Sequence, residues 1–115
     1  MRQKALRLKK NTEFKTVLGK GAYYADKRLV LYVLPNARSG NYFGVSVSKK
    51  LGKSVKRNRV KRLIREAVRI QAALLKPGHD IVVLARPGAA GEPFAKIERS
   101  LTRLLLRSGL YKTDE

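Results

Sequence analysis

Lys49–Arg69 reads KKLGKSVKRNRVKRLIREAVR, and two patterns are superimposed on it. Starting at Val60, an apolar stripe continues through Leu63, Ile64, Ala67, Val68 and Gln71, with Leu74 and Leu75 closing it. The i, i+3, i+4, i+7 spacing is that of a helix laid on a protein core. The same stretch carries ten cations, Lys49, Lys50, Lys53, Lys56, Arg57, Arg59, Lys61, Arg62, Arg65 and Arg69, against the single acid Glu66. It predicts a helix over about Val55–Leu75. One face is suited to a core; the other, carrying Asn58, Lys61, Arg62, Arg65 and Arg69, is suited to a polyanion.

The start of this helix breaks a local rule. Lys56, Arg57 and Arg59 crowd the first turn, where the macrodipole is positive and each cation costs up to about 1 kcal/mol. Free backbone N–H groups at such a terminus hold phosphate well. Cations gathered where an anion is already favoured make sense if a phosphate normally sits among them. A solvated basic face is the ordinary meaning of a charge run. The density, the purity of sign and the misplaced first turn favour the polyanion here.

Working outward, Arg28–Leu34 carries the apolar run LVLYVL and reads as a central strand, ended by Pro35 and a turn over Asn36–Gly40. Tyr42–Ser48 reads as a second strand with Phe43, Val45 and Val47 on one side. Beyond the basic helix, Lys76-Pro77-Gly78 is a stop, and Asp80–Ala85 (DIVVLA) reads as a buried strand. Pro87–Pro93 is a Gly- and Ala-rich candidate for a mobile loop. A last helix is expected over Pro93–Arg107, with Phe94, Ile97, Leu101, Leu104 and Leu105 on its core face and Gly109 after its end. Upstream, Met1–Lys10 reads as a basic arm (Arg2, Lys4, Arg7, Lys9, Lys10). Asn11 then offers an N-cap to a short helix with Phe14, Val17 and Leu18 on one face, ending at Gly19–Gly21. The expectation is a single α+β domain over residues 1–115, a sandwich of one sheet with three helices.

A chain of 115 residues with 43% hydrophobic content can build one ordinary core. Its net charge of +19 and pI near 10.9 call for a polyanionic partner, nucleic acid first and anionic membrane second. There is no apolar run approaching a membrane span and no signal-peptide pattern after Met1. The absence of cysteine excludes disulfides and thiolate metal sites and fits a reducing cytoplasm. Catalytic resources are thin. The single histidine, His79, lies in KPGHD and reads as a turn residue. Of the eight carboxylates (Glu13, Asp26, Glu66, Asp80, Glu92, Glu98, Asp114, Glu115), no pair sits close together in a metal-binding spacing apart from the terminal Asp114-Glu115. We therefore expect no catalytic residue and no metal ligand, since a two-metal nuclease needs several converging carboxylates.

Three motifs together resemble the protein component of bacterial ribonuclease P: LKKNTEF at Leu8–Phe14, GVSVSKKLG at Gly44–Gly52, and KRNRVKRLIRE at Lys56–Glu66 with its Arg57-Asn58-Arg59 centre. The resemblance covers nearly the whole chain. It implies one mixed sheet of about four strands with an uncommon left-handed βαβ crossover, against a physical preference of about 98% for the right-handed form. It implies a ribonucleoprotein that removes the 5′ leader of precursor tRNA, in which a catalytic RNA subunit carries the active site and binds the Mg²⁺. The protein would hold no cofactor, lie in the cytoplasm, touch no membrane and be monomeric when free. Carried over, the RNA-binding set is Arg57, Asn58, Arg59, Lys61, Arg62 and Arg65, with Lys49, Lys50, Lys53, Lys56 and Arg69 on the same basic stretch. The leader cleft would be lined by Phe14, Leu18, Val30 and Tyr32, Leu18 departing from a frequently aromatic position.

A ribosomal or assembly-type RNA-binding protein would share the charge and size but gives no reason for the combined motifs. A stand-alone nuclease lacks its acids here. A DNA regulator would show a helix-turn-helix or a dimerisation element, and a membrane binder a large exposed aromatic face on the basic helix.

Overall fold

The computed structural model describes residues 6–112. Its elements, in chain order, are β1 (Leu6–Arg7), α1 (Asn11–Lys20), β2 (Ala22–Ala25), β3 (Leu29–Pro35), β4 (Tyr42–Val47), α2 (Ser54–Gln71), β5 (His79–Ala85) and α3 (Phe94–Ser108). The five strands form one mixed sheet in the order β1-β4-β5-β3-β2. β4 runs parallel to both β1 and β5, while β3 is antiparallel to both β5 and β2. Since β4 and β5 are parallel neighbours, the chain must cross between them, and α2 is that crossover.

Strand alternation divides the sheet into two faces. Leu29, Leu31 and Val33 of β3, Phe43 of β4, and Ile81, Val83 and Ala85 of β5 share one face. Val60, Ile64, Ala67 and Val68 of α2 and Ile97, Leu101, Leu104 and Leu105 of α3 cover it. The opposite face carries a smaller cluster in which Val82 packs with Leu8 and with Val17 of α1, flanked by Phe14, Tyr32, Leu34 and Tyr42. β5 is the strand buried on both faces, with Ile81, Val82 and Val83 all fully buried. The expected three helices and single mixed sheet are therefore present, with five strands rather than about four.

Several boundaries differ from the sequence reading, each for a tertiary reason. The segment taken as a basic arm contains β1, and Leu8 is buried; Arg2 and Lys4 lie outside the described residues. β2 is an addition. It gains its place by pairing Tyr23 with Tyr32 and Tyr24 with Leu31. β3 is internal but one strand off centre, because β2 covers its far side. Lys10, not Asn11, precedes α1, and the Glu13 carboxylate accepts from the N–H groups of Lys10 at 3.1 Å and Lys9 at 3.3 Å. α2 gives way at Ala72–Leu74 to a 3₁₀ turn, which leaves Leu74 exposed and returns the stripe to the core at Leu75. His79 opens β5 opposite Pro35 rather than sitting in a turn.

The Pro87–Pro93 loop is held rather than loose. Pro87–Ala89 forms a 3₁₀ turn and Ala89 is fully buried. Gly88 lies against the Lys27 carbonyl too closely for any Cβ. Glu92 is ion-paired with Arg28. At the end of α3, Gly109 adopts φ 74° and caps the helix through the carbonyls of Leu105 and Leu106, as expected.

Three carboxylates pin loops to this frame. Arg38 holds the Glu13 carboxyl below the ordinary carboxylate value, and Arg28 does the same for Glu92. Burial pushes Asp26 up, but the N–H groups of Leu29 and Arg28, each at 2.8 Å, outweigh it and leave Asp26 lowered as well. Depressed folded-state values mean that these contributions are complete above the unfolded values and disappear as pH falls through the folded ones. The melting temperature should therefore drop on acidification below about pH 4.5. An Asp26→Asn variant should start lower at neutral pH and show a shallower acid decline; an identical decline would remove Asp26 from this role.

Candidate nucleic-acid interface

α2 is positioned by its own apolar stripe and by the turn before it. In the 3₁₀ turn Lys49–Leu51, Ser48 Oγ accepts from the Lys50 N–H at 3.2 Å while Leu51 is buried, so Lys49 and Lys50 are turned outward. Lys49, Lys50, Lys53, Lys56, Asn58, Arg62, Arg65 and Arg69 are exposed; Arg57, Arg59 and Lys61 are half-buried. All eleven residues singled out in the sequence are thus at least partly open to solvent.

Two edges of the helix differ in what they face. Arg59 turns toward the Pro87–Pro93 loop and donates to the Glu92 carbonyl oxygen at 3.1 Å. There Lys56, Arg59, Ala90 and Gly91 line an open cavity of about 470 Å³ beside the first two turns of α2; because the helix begins at Ser54, Arg59 falls in its second turn rather than its first. On the other edge, Arg57, Lys61 and Arg65 recur every four residues and so form a row. The Arg57 Nε is buried without a hydrogen-bond partner. Arg69 is engaged by Glu66, Nε to Oε2 at 3.1 Å and NH2 to Oε1 at 2.5 Å. The pairing lowers the carboxyl and raises the guanidinium. Among the described residues the ion pairs are Arg28–Glu92, Arg38–Glu13, Arg69–Glu66 and Arg103–Asp26. Nine of the ten cations from Lys49 to Arg69 therefore have no carboxylate partner among those residues. This charge is uncompensated, and an external polyanion is what would balance it.

A second surface lies on the α1 face of the sheet. Phe14 is half-buried, its ring lying over Gly44 so closely that a Cβ there would overlap it. Phe14 and Tyr32 join the cluster around Val17 and Val82, whereas Val30 and the exposed Leu18 lie outside it. Sequence reasoning missed Tyr23. It is 66% exposed, sits opposite Tyr32 in the β2–β3 register, and its ring centroid is 6.0 Å from that of Tyr32. AYYA is too short to show a strand period, so only the pairing reveals which Tyr faces out. Two neighbouring aromatic rings on an open sheet face suit the stacking of unpaired bases. At the far edge Arg38 stacks on Tyr42, 4.2 Å from the ring centroid.

Among the described residues no three His, Cys, Asp or Glu side chains converge on a metal position. The His79 ring lies beside the Lys76 carbonyl, with Nδ1 at 3.3 Å, and its backbone N–H donates to Asn41. No helix among the described residues is long and apolar enough to cross a membrane.

Comparison with known proteins agrees with this geometry. The family model described as Ribonuclease P matches residues 2–109. The chain belongs to the ribonuclease P protein family. It is 45% identical over 108 residues to the ribonuclease P protein component of Clostridium kluyveri, covering 92% of this chain and 96% of that one. It is 44% identical over 115 residues to that of Caldanaerobacter subterraneus subsp. tengcongensis, covering 100% and 99%. Among solved structures, the Staphylococcus aureus RNase P protein superposes with a TM-score of 0.85 at 35% identity, covering 95% of this chain and all of that one. The Thermotoga maritima protein, solved with 1-(4-fluorophenyl)-2-thiourea, gives 0.81 at 28% identity, covering 88% and 98%. Family membership makes this a protein subunit of ribonuclease P, a tRNA-processing endoribonuclease, and makes the ribonuclease P RNA its partner.

Proposed function

We propose that this chain grips the ribonuclease P RNA with the cationic surface of α2, holds the 5′ leader of precursor tRNA in the cleft between α1 and the sheet, and leaves the chemistry to the RNA. The observation that carries this reading is the uncompensated charge: nine cations without a carboxylate partner among the described residues, six of them on a helix whose other face is locked into the core and three on the turn leading into it. The leader reading rests on Phe14, Tyr32 and Tyr23, which offer stacking surface on the opposite side of the sheet. In it, Leu18 and Val30 line the cleft as apolar contacts. Mg²⁺ belongs to the RNA, and the protein lowers the amount needed by reducing repulsion between converging phosphates. The free protein is a monomer acting in the cytoplasm.

Catalysis by the RNA requires that the protein alone leave precursor tRNA intact at every Mg²⁺ concentration. Adding the protein to the RNA should shift the Mg²⁺ requirement for cleavage downward, and His79→Ala should behave as the parent does. Site-specific cleavage by RNA-free protein, or an unshifted Mg²⁺ requirement, would contradict the division of labour.

The two surfaces should also separate. Tyr32→Ala in the holoenzyme should weaken binding of precursor tRNA by roughly the 1–3 kcal/mol of one base stack, and leave mature tRNA and the catalytic RNA bound as before. Equal losses for precursor and mature tRNA would assign Tyr32 to the core instead.

A further inference from the structure

β4 is paired along its whole length on one side and over two residues on the other. Its register with β5 runs from Tyr42 to Val47, whereas its register with β1 ends at Phe43, because the chain turns away through Leu8 into α1. The carbonyls of Asn41 and Phe43 accept from Leu6 and Leu8, at 3.3 and 3.0 Å. Alternate residues of a strand point their N–H and C=O the same way, so Val45 and Val47 present theirs to this same edge. Val45 makes no hydrogen bond across that edge to the described residues.

Beside Val45 the edge opens on a cavity of about 270 Å³. Phe14, Phe43, Val45 and Val68 give it apolar walls, and Arg7, Arg65 and Arg69 stand at its rim. Arg7 and Arg65 have no carboxylate partner among the described residues, whereas Arg69 is paired with Glu66. The row begun by Arg57 and Lys61 continues through Arg65 to Arg69, and its last two members line the cavity, which therefore lies at the end of a cationic track along α2. Apolar walls, one free donor–acceptor pair and adjoining cations are what an unstacked nucleotide requires. The volume is below the range of about 300–1,000 Å³ typical of drug-sized ligands and suits a single base.

We propose that this pocket receives one extruded nucleotide of the ribonuclease P RNA. Its base stands against Val45 and Val68, its hydrogen-bonding edge meets the N–H and C=O of Val45, and its phosphate lies on Arg65. The proposal rests on the reading of α2 as the RNA surface. An extended peptide adding a strand to β4 is the competing occupant. The free edge offers it only Val45 and Val47, and the cations beside it favour a polyanion. Arginines can also simply guard a sheet edge against pairing, but a guard needs no cavity beside it.

The test is amide hydrogen exchange at Val45 in the full-length protein, free and bound to the ribonuclease P RNA, with overall affinity measured in parallel. Exchange at Val45 should slow about tenfold or more in the complex. Arg65→Gln should diminish that slowing, while the amides of β5 serve as the control for folding. In the same complex, one unpaired base should lose chemical reactivity at its Watson–Crick edge. It should regain it with Val45→Pro, which removes the N–H on the side where the β4–β5 ladder does not use it. Tight RNA binding with unchanged exchange at Val45 would overturn the pocket and leave the α2 reading standing; absence of RNA binding would overturn both. Slowing produced equally by a leader oligonucleotide or by an acidic peptide would overturn the assignment to the ribonuclease P RNA.

Discussion

Burial of the α2 stripe against the sheet is the constraint on which the rest of the molecule depends. Val60, Ile64 and Ala67 are essentially inaccessible, and a helix so anchored cannot rotate without exposing them. The cations between those positions are therefore aimed outward by the hydrophobic effect, not by any attraction of their own. The cost is mutual repulsion along α2 and an unfavourable first turn. In the proposed reading an RNA partner would reverse the sign of that cost, tying the stability of the basic face to its function.

The same sheet sets the second surface. β5 is buried on both faces because α2 and α3 cover one side and α1 only part of the other. The short reach of α1 leaves Tyr23 and Leu18 exposed, with Tyr32 and Val30 half-buried. The short reach of β1 leaves the end of β4 without a partner among the described residues. Both openings come from elements that stop early, and each lies next to aromatic or cationic side chains. The fold thus separates a cationic helix on one side from an aromatic sheet face on the other, with the β4 edge between them.

What could be read from the sequence followed the length of each pattern. α2 and α3 repeat their stripes over several turns, and β3 and β5 are continuous apolar runs, so their types were legible. β1 has two residues and β2 four. Neither can display a period, and both exist through pairing with a distant strand. The order in Pro87–Pro93 was equally hidden, since it depends on Lys27, Arg28 and Arg59 reaching that loop from elsewhere. The basic set was legible as composition, but its division was not: Arg59 is tied to a loop carbonyl, Arg69 to Glu66, and Arg65 lines the cavity beside the β4 edge. Phe14 was named from resemblance, while its seat over Gly44 required the fold.

The central claim is that the place of the charge, more than its amount, holds the RNA. The direct measurement compares two charge-matched variants across a salt titration of affinity for the ribonuclease P RNA. One carries Arg62→Gln and Arg65→Gln on α2; the other carries Lys96→Gln and Arg99→Gln on the outward face of α3, where both residues are likewise exposed. The α2 variant should bind more weakly and lose roughly two phosphates' worth of salt slope, while the α3 variant should keep both affinity and slope close to those of the parent. Equal losses in the two variants would contradict the account, because net charge alone would then explain the binding.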